Sequence, residues 1–236
     1  MTRRRWIADE VSANRAALIG DHARHLAQVL RAQVGQEFDI STGSDVRIGK
    51  ISSIHPDRVE FDLGEAIPIA ADTAITVAIS IFKFDRMEWA IEKCAELGVA
   101  RIIPIIAVRT EAHLAAASQK RAERWRRIAH QASEQSRRVF PPEISDTIKL
   151  KELQAISADT RIVLSETEAT QMLKDAVPGN TASVMLAFGP EGGWKEQEIA
   201  DFRDAGWTAA SLGPTILRAE TAVIAAVAIT ASTLLP

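Results

Sequence analysis

The sequence predicts an α/β fold that follows a smaller β domain, and two observations lead to this prediction. From about residue 75 onwards, short apolar runs typical of buried strands alternate with longer segments of helical periodicity. Such alternation indicates a mostly parallel sheet covered by helices on both faces. Before about residue 67, short β-branched runs are separated by the turn compositions TGSD and HPD, which favour a small β-barrel.

The predicted strands are runs of roughly five to nine residues that are rich in β-branched or aromatic side chains. The segment IPIAADT (67–73) is a candidate junction, so the predicted domains are residues 1–70 and 73–236. In the first domain the strands are GQEFDIS (35–41), VRIGKISSI (46–54) and RVEFDL (58–63). In the second they are ITVAISI (75–81), RIIPIIAV (101–108), RIVLSE (161–166), SVMLAF (183–188) and TAASLG (208–213).

Helices are predicted where apolar residues recur every three or four positions. The first domain contains one, DHARHLAQVLR (21–31), in which Asp21 suits the N-cap and Leu26, Val29 and Leu30 share one side. The helices of the second domain are DRMEWAIEKCAELG (85–98), SQKRAERWRRIAHQASEQSRR (118–138), WKEQEIADFRDAG (194–206) and RAETAVIAAVAITASTLL (218–235).

Composition excludes several classes of protein. A net charge of −3 over 236 residues excludes a globally basic protein, so any surface that binds nucleic acid must be local. The single cysteine, Cys94, cannot form an internal disulfide, and its apolar helical neighbours indicate a core position rather than a nucleophile. No stretch resembles a signal peptide or a membrane span, so a cytoplasmic location is expected. The five histidines show no metal-ligand spacing with Cys94, and no metal site is predicted.

The loop FGPEGG (188–193) follows a buried strand, as do SE (165–166) and LGP (212–214). Ligands of open α/β sheets bind at the carboxyl ends of strands, so these three places are expected to form one pocket. Glu191 would repel a triphosphate, and no Gly-Lys-Ser/Thr follows, which argues against a P-loop. An adenosine ligand with a positive centre and no phosphate would fit, and S-adenosylmethionine is such a ligand. The alternative is a tight strand–helix turn that binds nothing.

A second loop, LGPTILRAETA (212–222), opens the small-residue helix near the carboxyl terminus. Ile216 and Leu217 could pack against a flat ring. Arg218 and Glu220 flank the start of the helix, where they form either a simple cap with an ion pair or part of a site.

A basic stretch covers residues 120–138, with seven basic residues against two acidic ones. Ala122, Trp125, Ala129 and Ala132 mark a buried helical stripe, so the arginines project around the remaining arc. A charge run is often only a solvated face, but arginine also binds phosphate through two parallel hydrogen bonds. Both interpretations are open at this point.

Several segments together carry a resemblance to a known family. The glycine loop FGPEGGW is followed by Glu198, and LGPTILRAETA comes some twenty residues later. The other matching segments are KFDRMEWAIEKCAELGV (83–99), EQSRR (134–138) with the following PPEI, and DHARHLAQVLR (21–31). These segments resemble the SPOUT class of methyltransferases, and within it the RsmE family, which methylates N3 of a uridine in 16S ribosomal RNA. The likeness covers nearly the whole chain.

The resemblance implies a fold and an assembly that periodicity alone does not. It implies a PUA-like β-barrel that binds RNA, followed by a SPOUT α/β domain with a deep trefoil knot near the carboxyl terminus. It also implies a homodimer. The helix AVIAAVAITASTLL (222–235) is apolar on almost every side, and either a dimer interface or a position in the core would bury it.

The resemblance also implies site residues. The cofactor, S-adenosylmethionine, is expected in the three loops. The expected cofactor-binding residues are Leu164, Glu166, Phe188, Gly189, Pro190, Glu191, Gly192, Gly193, Leu212, Gly213, Ile216, Leu217, Arg218, Thr221 and Ala222. The candidate catalytic residues are Arg218, which could pair with a uracil oxygen, and Glu220, which could take a proton. The candidate RNA-binding residues are Arg24, Arg31, Lys83, Arg86, Arg124, Arg127 and Arg138.

Two departures and three alternatives accompany the resemblance. Lys195 stands where the family usually has a small hydroxyl residue that caps the next helix, so the capping box with Glu198 is incomplete and a less well-defined helix is expected there. Thr215 stands where the family usually has an arginine, which puts in doubt any role of that arginine here. One alternative is a SPOUT enzyme that acts on another RNA or on a ribose 2′-hydroxyl. Another is a non-catalytic RNA-binding factor of ribosome assembly, and a third is a nucleotide-binding regulator, which Glu191 and the missing P-loop lysine argue against.

Overall fold

The computed structural model describes residues 4–68 and 74–234. The chain divides into two compact units, one of residues 1–71 with 133–140 and one of residues 72–132 with 141–236. Residues 69–73, most of the predicted junction, lie outside the described residues. The assignment of residues 133–140 to the first unit has no counterpart in the sequence pattern.

The first unit is built on a six-stranded sheet with the order β1-β4-β5-β6-β3-β2. All neighbours are antiparallel except β1 and β4. The strand pairs that the structure describes do not join β1 to β2, so along this path the sheet is open. The strands are β1 (Arg5–Ile7), β2 (Glu10–Ser12), β3 (Arg15–Ile19), β4 (Glu37–Ser41), β5 (Val46–His55) and β6 (Arg58–Ile67).

Alternating residues of this sheet bury one apolar face. Leu18, Ile40 and Phe61 have no exposed surface and pack with Trp6 and Leu26 into one core cluster. The three strands predicted for this domain are confirmed as β4, β5 and β6. The three strands before residue 20 were missed because two of them contain only three residues, too few to show alternation.

The predicted helix at residues 21–31 is shorter than expected and irregular. Helix α1 (Asp21–Arg24) begins on Gly20, so Asp21 is its first residue and not its N-cap. The chain continues as a π-helical turn over His25–Val29. Because the π turn is wider than an α turn, it shifts the side chains that follow it. Of the predicted apolar side only Leu26 is buried, while Val29 is 66% and Leu30 39% exposed.

A histidine with two acidic neighbours lies at the start of this helix. Nδ1 of His22 is 3.2 Å from both carboxylate oxygens of Asp9, and its Nε2 is 3.9 Å from Oε2 of Glu134. The hydrogen bond with Asp9 raises the pKa of His22 above its ordinary value of 6.5, although burial opposes the shift. Burial raises the pKa of Glu134, with the His22 charge opposing that shift.

We expect this cluster to stabilise the protein more at pH 6 than at pH 8. A histidine whose pKa rises on folding contributes stability below its unfolded pKa and loses it as the pH passes the folded one. The raised pKa of Glu134 acts in the same direction. Urea unfolding of the wild type and of His22→Gln should therefore give a larger difference in unfolding free energy at pH 6. An equal difference at both values would mean that folding does not raise the pKa of His22.

The second unit contains a seven-stranded, wholly parallel sheet. Its order is β10-β8-β7-β12-β11-β13, and β9 also pairs with β8. The five predicted strands are confirmed. Strands β9 and β10 were missed because each contains only two residues. The strands are β7 (Ile75–Ser80), β8 (Arg101–Ile106), β9 (Glu143–Ile144), β10 (Ile148–Lys149), β11 (Thr160–Leu164), β12 (Val184–Phe188) and β13 (Thr208–Ala210).

Helices pack on both faces of this sheet, as predicted. Alternate residues of β12 show the two faces, because Val184, Leu186 and Phe188 join one core cluster while Met185 and Ala187 join the other. The helices are α2 (Phe84–Glu96), α3 (Ala112–Ser118), α4 (Ala122–Gln135), α5 (Leu150–Leu153), α6 (Leu173–Ala176), α7 (Glu196–Asp204) and α8 (Ala219–Leu234).

The two core clusters, one on each face of the parallel sheet, contain buried side chains of the strands and of the helices that cover them. Helices α2 and α8 pack on the first face, and Trp125 of α4 is fully buried in that cluster with Ala129 and Cys94. Burial raises the pKa of the Cys94 thiol to about 12, so Cys94 is a core residue, as predicted. Across residues 4–68 and 74–234, no helix combines the length and apolar character needed to cross a membrane.

Candidate active site

A cavity of about 510 Å³ lies in the second unit at the carboxyl ends of its strands. Its walls come from the segments that follow β7, β11, β12 and β13, which are neighbours in the sheet. The three strand ends identified from the sequence therefore meet in one pocket. All the expected cofactor-binding residues except Gly192 and Thr221 line it.

The glycine loop after β12 is fixed by a buried tryptophan. Nε1 of Trp194 donates a hydrogen bond of 2.9 Å to the carbonyl oxygen of Leu164, at the end of β11. The indole lies so close to Gly189 that a Cβ there would be 3.2 Å from it. The amide of Gly193 donates to the carbonyl of Pro190 at 2.8 Å and closes the turn. The loop thus has one shape, set by packing.

Gly193 and the carboxylate of Glu166 lie side by side in the wall of the cavity. Gly193 has a φ of +69°, and a Cβ built on it would overlap Oε1 of Glu166. The Glu166 carboxylate accepts no hydrogen bond from the described residues, although it lines the cavity. A carboxylate that lines a cavity and has no protein donor can accept hydrogen bonds from the hydroxyl groups of a ligand.

The acid of the glycine loop has a protein partner, which the sequence did not reveal. Nη1 of Arg86 donates to Oε1 of Glu191 at 2.6 Å, and Nε of Arg86 lies 3.8 Å from Oε1 of Glu220. The interpretation of Glu191 as an acid waiting for a ligand is therefore incomplete. Arg86 neutralises it, so Glu191 alone does not exclude a phosphate.

The second loop divides into residues that face the cavity and residues that do not. Arg218 and Lys83 line it, are exposed, and have no side-chain partner among the described residues. Ile216 also lines it and is 85% exposed. Glu220 is 4% exposed and does not line the cavity, and Thr221 is exposed to solvent elsewhere.

Two residues that the sequence analysis did not assign to the site hold the glycine loop from behind. Nη1 of Arg109 donates to the carbonyl oxygens of Gly192 at 2.6 Å and Trp194 at 3.2 Å. The buried carboxylate of Glu198 accepts from the amides of Val108 and Lys195, both at 2.9 Å. The strand-end rule, applied to β8, would have pointed to Arg109, because it lies three residues after the end of that strand.

Comparison with known proteins assigns the chain to a family. Residues 70–231 match the family described as RNA methyltransferase domain, and residues 18–64 match the RNA methyltransferase PUA domain. The chain is 30% identical over 224 residues to "Ribosomal RNA small subunit methyltransferase E" of Mycobacterium bovis, covering 89% of this chain and 84% of the relative. The chain belongs to this RNA methyltransferase family.

Solved structures agree with this membership. A ribosomal RNA small subunit methyltransferase E from Neisseria gonorrhoeae, bound to S-adenosyl methionine, is 28% identical, with a TM-score of 0.85 over 97% of this chain and 96% of that one. A putative methyltransferase from Legionella pneumophila, in complex with SAM, is 26% identical with a TM-score of 0.87 over 98% of both chains. The resemblance to the RsmE family and the PUA-like character of the amino-terminal domain are confirmed.

The structure changes the picture of the basic residues in this RsmE-family member. The predicted stripe Ala122, Trp125, Ala129 and Ala132 is buried, as expected. Arg124 forms a bidentate ion pair with Glu88, in which Nε donates to Oε1 at 2.6 Å and Nη2 donates to Oε2 at 2.8 Å. Its guanidinium is therefore not free to bind phosphate.

The remaining candidate arginines differ in exposure. Arg138 is only 7% exposed and presents no basic surface. Arg24 is paired with Asp21 and Asp57. Arg127 and Arg31 are exposed and have no side-chain partner among the described residues.

We expect Arg109→Met to weaken binding of S-adenosylmethionine about tenfold. The substitution keeps the length of the side chain but removes both hydrogen bonds to the loop carbonyls, and a charged hydrogen bond contributes about 1.5–3 kcal/mol. Calorimetric titration measures the change. The matched control is Arg126→Met, because Arg126 pairs with Asp146 outside the cavity and its loss should leave the affinity unchanged. Equal affinities for all three proteins would contradict a role of Arg109 in shaping the loop.

Proposed function

We propose that this protein transfers a methyl group from S-adenosylmethionine to N3 of one uridine in 16S ribosomal RNA. The observation that carries the proposal is the cavity at four neighbouring strand ends, because it combines glycine loops with a carboxylate and two cations that have no side-chain partner among the described residues. The membership of the RsmE family supports the same activity.

The residues that line the cavity fit the proposed cofactor. A volume of about 510 Å³ lies within the range of about 300–1,000 Å³ that is usual for small-molecule sites. Leu164, Phe188 and Leu217 offer apolar surface for a flat base, and Glu166 is placed to accept hydrogen bonds from ribose hydroxyls. When bound, S-adenosylmethionine supplies an electrophilic methyl group on a positively charged sulfur.

The reacting atom of uracil needs help from the protein. N3 lies between two carbonyl groups and carries a proton at neutral pH, so it becomes a good nucleophile only when that proton leaves. Glu220 is too buried to receive it, and Glu191 is already paired with Arg86. We therefore assign the proton to a water molecule. Arg218, whose guanidinium has no partner among the residues that the structure describes, donates to a uracil oxygen and stabilises the negative charge that develops.

The target base must be accessible on its pairing edge. N3 takes part in base pairing, so the uridine has to be unpaired or flipped out of its stack to reach the cavity. Lys83, at the cavity, and the exposed residues Arg127 and Arg31 are proposed to hold the RNA backbone. Arg124 and Arg138 no longer belong in this set, because one is paired with Glu88 and the other is buried.

A trefoil knot near the carboxyl terminus, a homodimer and a cytoplasmic location are also part of the proposal. The resemblance of the two glycine-containing loops to the SPOUT class is what supports the knot. Helix α8 supports the dimer, since it is apolar nearly all round yet leaves Ala228 exposed. Action on ribosomal RNA supports the location. A crystal structure, together with light scattering at several concentrations, would contradict this part if it gave an unknotted chain or a monomer.

The proposed activity is tested by incubating the protein with labelled S-adenosylmethionine and small ribosomal subunits that lack the modification. Label should enter 16S ribosomal RNA at close to one methyl group per subunit, and large subunits should stay unlabelled. Cofactor binding without transfer to any ribosomal RNA would redirect the search to another RNA. Absence of both would favour the non-catalytic RNA-binding alternative.

A further inference from the structure

We propose that Glu220 is a positioning residue that, together with Glu191, holds the guanidinium of Arg86 against the uracil of the substrate. The inference rests on the proposed function and deepens it, because it assigns a second cation to the reaction. Uracil has two carbonyl oxygens beside N3, and Arg218 accounts for one of them. Arg86 would donate to the other.

The geometry of Arg86 is set by two carboxylates from distant parts of the chain. Arg86 lies in the first turn of α2 and lines the cavity. Its Nη1 donates to Glu191 of the glycine loop at 2.6 Å, and its Nε lies 3.8 Å from Glu220 of α8. A guanidinium has five N–H donors, and the described residues provide no third partner. Donors therefore stay available to a ligand in the cavity.

The burial of Glu220 requires an explanation. Its side chain is 5% exposed, and Oε2 has no hydrogen-bond partner among the described residues. A buried carboxylate without good partners is unfavourable, although the amino end of α8 partly offsets its charge. Arg86 is the basic residue within ion-pair distance in the described part of the chain. An incompletely satisfied acid beside a cavity-lining arginine is more consistent with positioning that arginine than with stabilising the fold.

Preorganisation distinguishes Arg86 from the other cations of the cavity. Lys83 and Arg218 are exposed and have no side-chain partner in the described part of the chain, so each must be ordered when the substrate binds. Arg86 is already held, and a preorganised donor needs no reorganisation when charge develops. In the reaction the N3–H bond breaks, water takes the proton, the N3–carbon bond forms and the carbon–sulfur bond breaks. Arg86 stabilises the carbonyl oxygen that carries part of the charge before N3 attacks.

The first test compares Glu220→Gln with the wild type at saturating S-adenosylmethionine and saturating subunits. Turnover should fall about tenfold, because the guanidinium is less firmly placed, while the dissociation constant of the cofactor stays within about twofold. The matched control is Glu196→Gln, an exposed acid in the first turn of α7 that should change neither quantity. Unchanged turnover in Glu220→Gln, or equal losses in turnover and cofactor affinity, would overturn the inference.

The second test uses chemical rescue of a variant that lacks the Arg86 guanidinium. Arg86→Ala leaves both carboxylates in place, so millimolar guanidinium should restore part of its lost turnover. The double variant Arg86→Ala/Glu220→Gln should show little such rescue, and equal rescue in both would overturn the inference. If the wild type forms no N3-methyluridine, the proposed function fails and the inference fails with it. If the wild type does so and Glu220→Gln behaves like it, only the inference fails.

Discussion

Gly193→Ala is expected to weaken S-adenosylmethionine binding about 100-fold, whereas Gly192→Ala changes it less than about threefold. Gly193 has a φ of +69°, in the left-handed region, where a side chain costs about 1–2 kcal/mol, so the free loop of the variant relaxes and cofactor binding must restore the strained conformation. The new Cβ would also displace the Glu166 carboxylate, whose proposed charged hydrogen bonds from the ribose hydroxyls would contribute about 1.5–3 kcal/mol. Together these losses amount to about 3 kcal/mol, which corresponds to roughly two factors of ten in affinity.

The neighbouring glycine provides the control. A Cβ on Gly192 would lie 3.4 Å from the Arg109 side chain, an ordinary contact, and Gly192 does not line the cavity. Calorimetric titration gives both dissociation constants, and circular dichroism verifies that both variants are folded. If the two variants lost affinity equally, the contact between Gly193 and Glu166 would not be what shapes the cofactor site.

Arg218→Ala should reduce turnover about 100- to 1,000-fold and leave cofactor affinity within about threefold. The magnitude is that of removing one donor that stabilises a developing negative charge. Arg218 suits this role because it lines the cavity and its side chain has no partner in the described part of the chain. Single-turnover rates with saturating small subunits, measured beside cofactor titrations, separate the two quantities.

Two further variants sharpen this prediction. Arg218→Lys keeps the charge but not the planar pair of donors, so its turnover should lie between those of the wild type and the alanine variant. Arg126→Ala removes an arginine outside the cavity and should have no effect on turnover. Equal losses of turnover and cofactor affinity in Arg218→Ala would show that Arg218 binds the cofactor and does not stabilise the base.

The sequence predicted those features that depend on local pattern. The five apolar runs of the second domain became strands of the parallel sheet, and the segments that follow four of them, three of which the sequence identified, form the cavity wall. This succeeded because a parallel sheet buries both faces of its strands and brings their carboxyl ends to one edge. The buried helical stripe that contains Trp125 was also predicted correctly, because the spacing of apolar residues along a helix is visible in the local sequence.

Contacts between residues that are far apart in the sequence could not be predicted from it. Glu191 and Arg86 are separated by 105 positions, so the sequence showed an acid without its partner. The same holds for Arg109, whose contact with Gly192 spans 83 positions. Arg138 belonged to an arginine-rich run that suggested a surface, but burial depends on the tertiary fold and not on composition. The cavity was therefore located from sequence, while the ion pairs that surround it required the structure.

The measurement that tests the central claim most directly is the identity of the methylated atom. Small subunits treated with the wild-type protein are digested to nucleosides, and methylated uridines are separated and identified by mass spectrometry. The account predicts N3-methyluridine at one position of 16S ribosomal RNA, with a matching stop in reverse transcription, and none with Arg218→Ala in the same time. A 2′-O-methylated nucleoside, or methylation of a base other than uracil, would contradict the account.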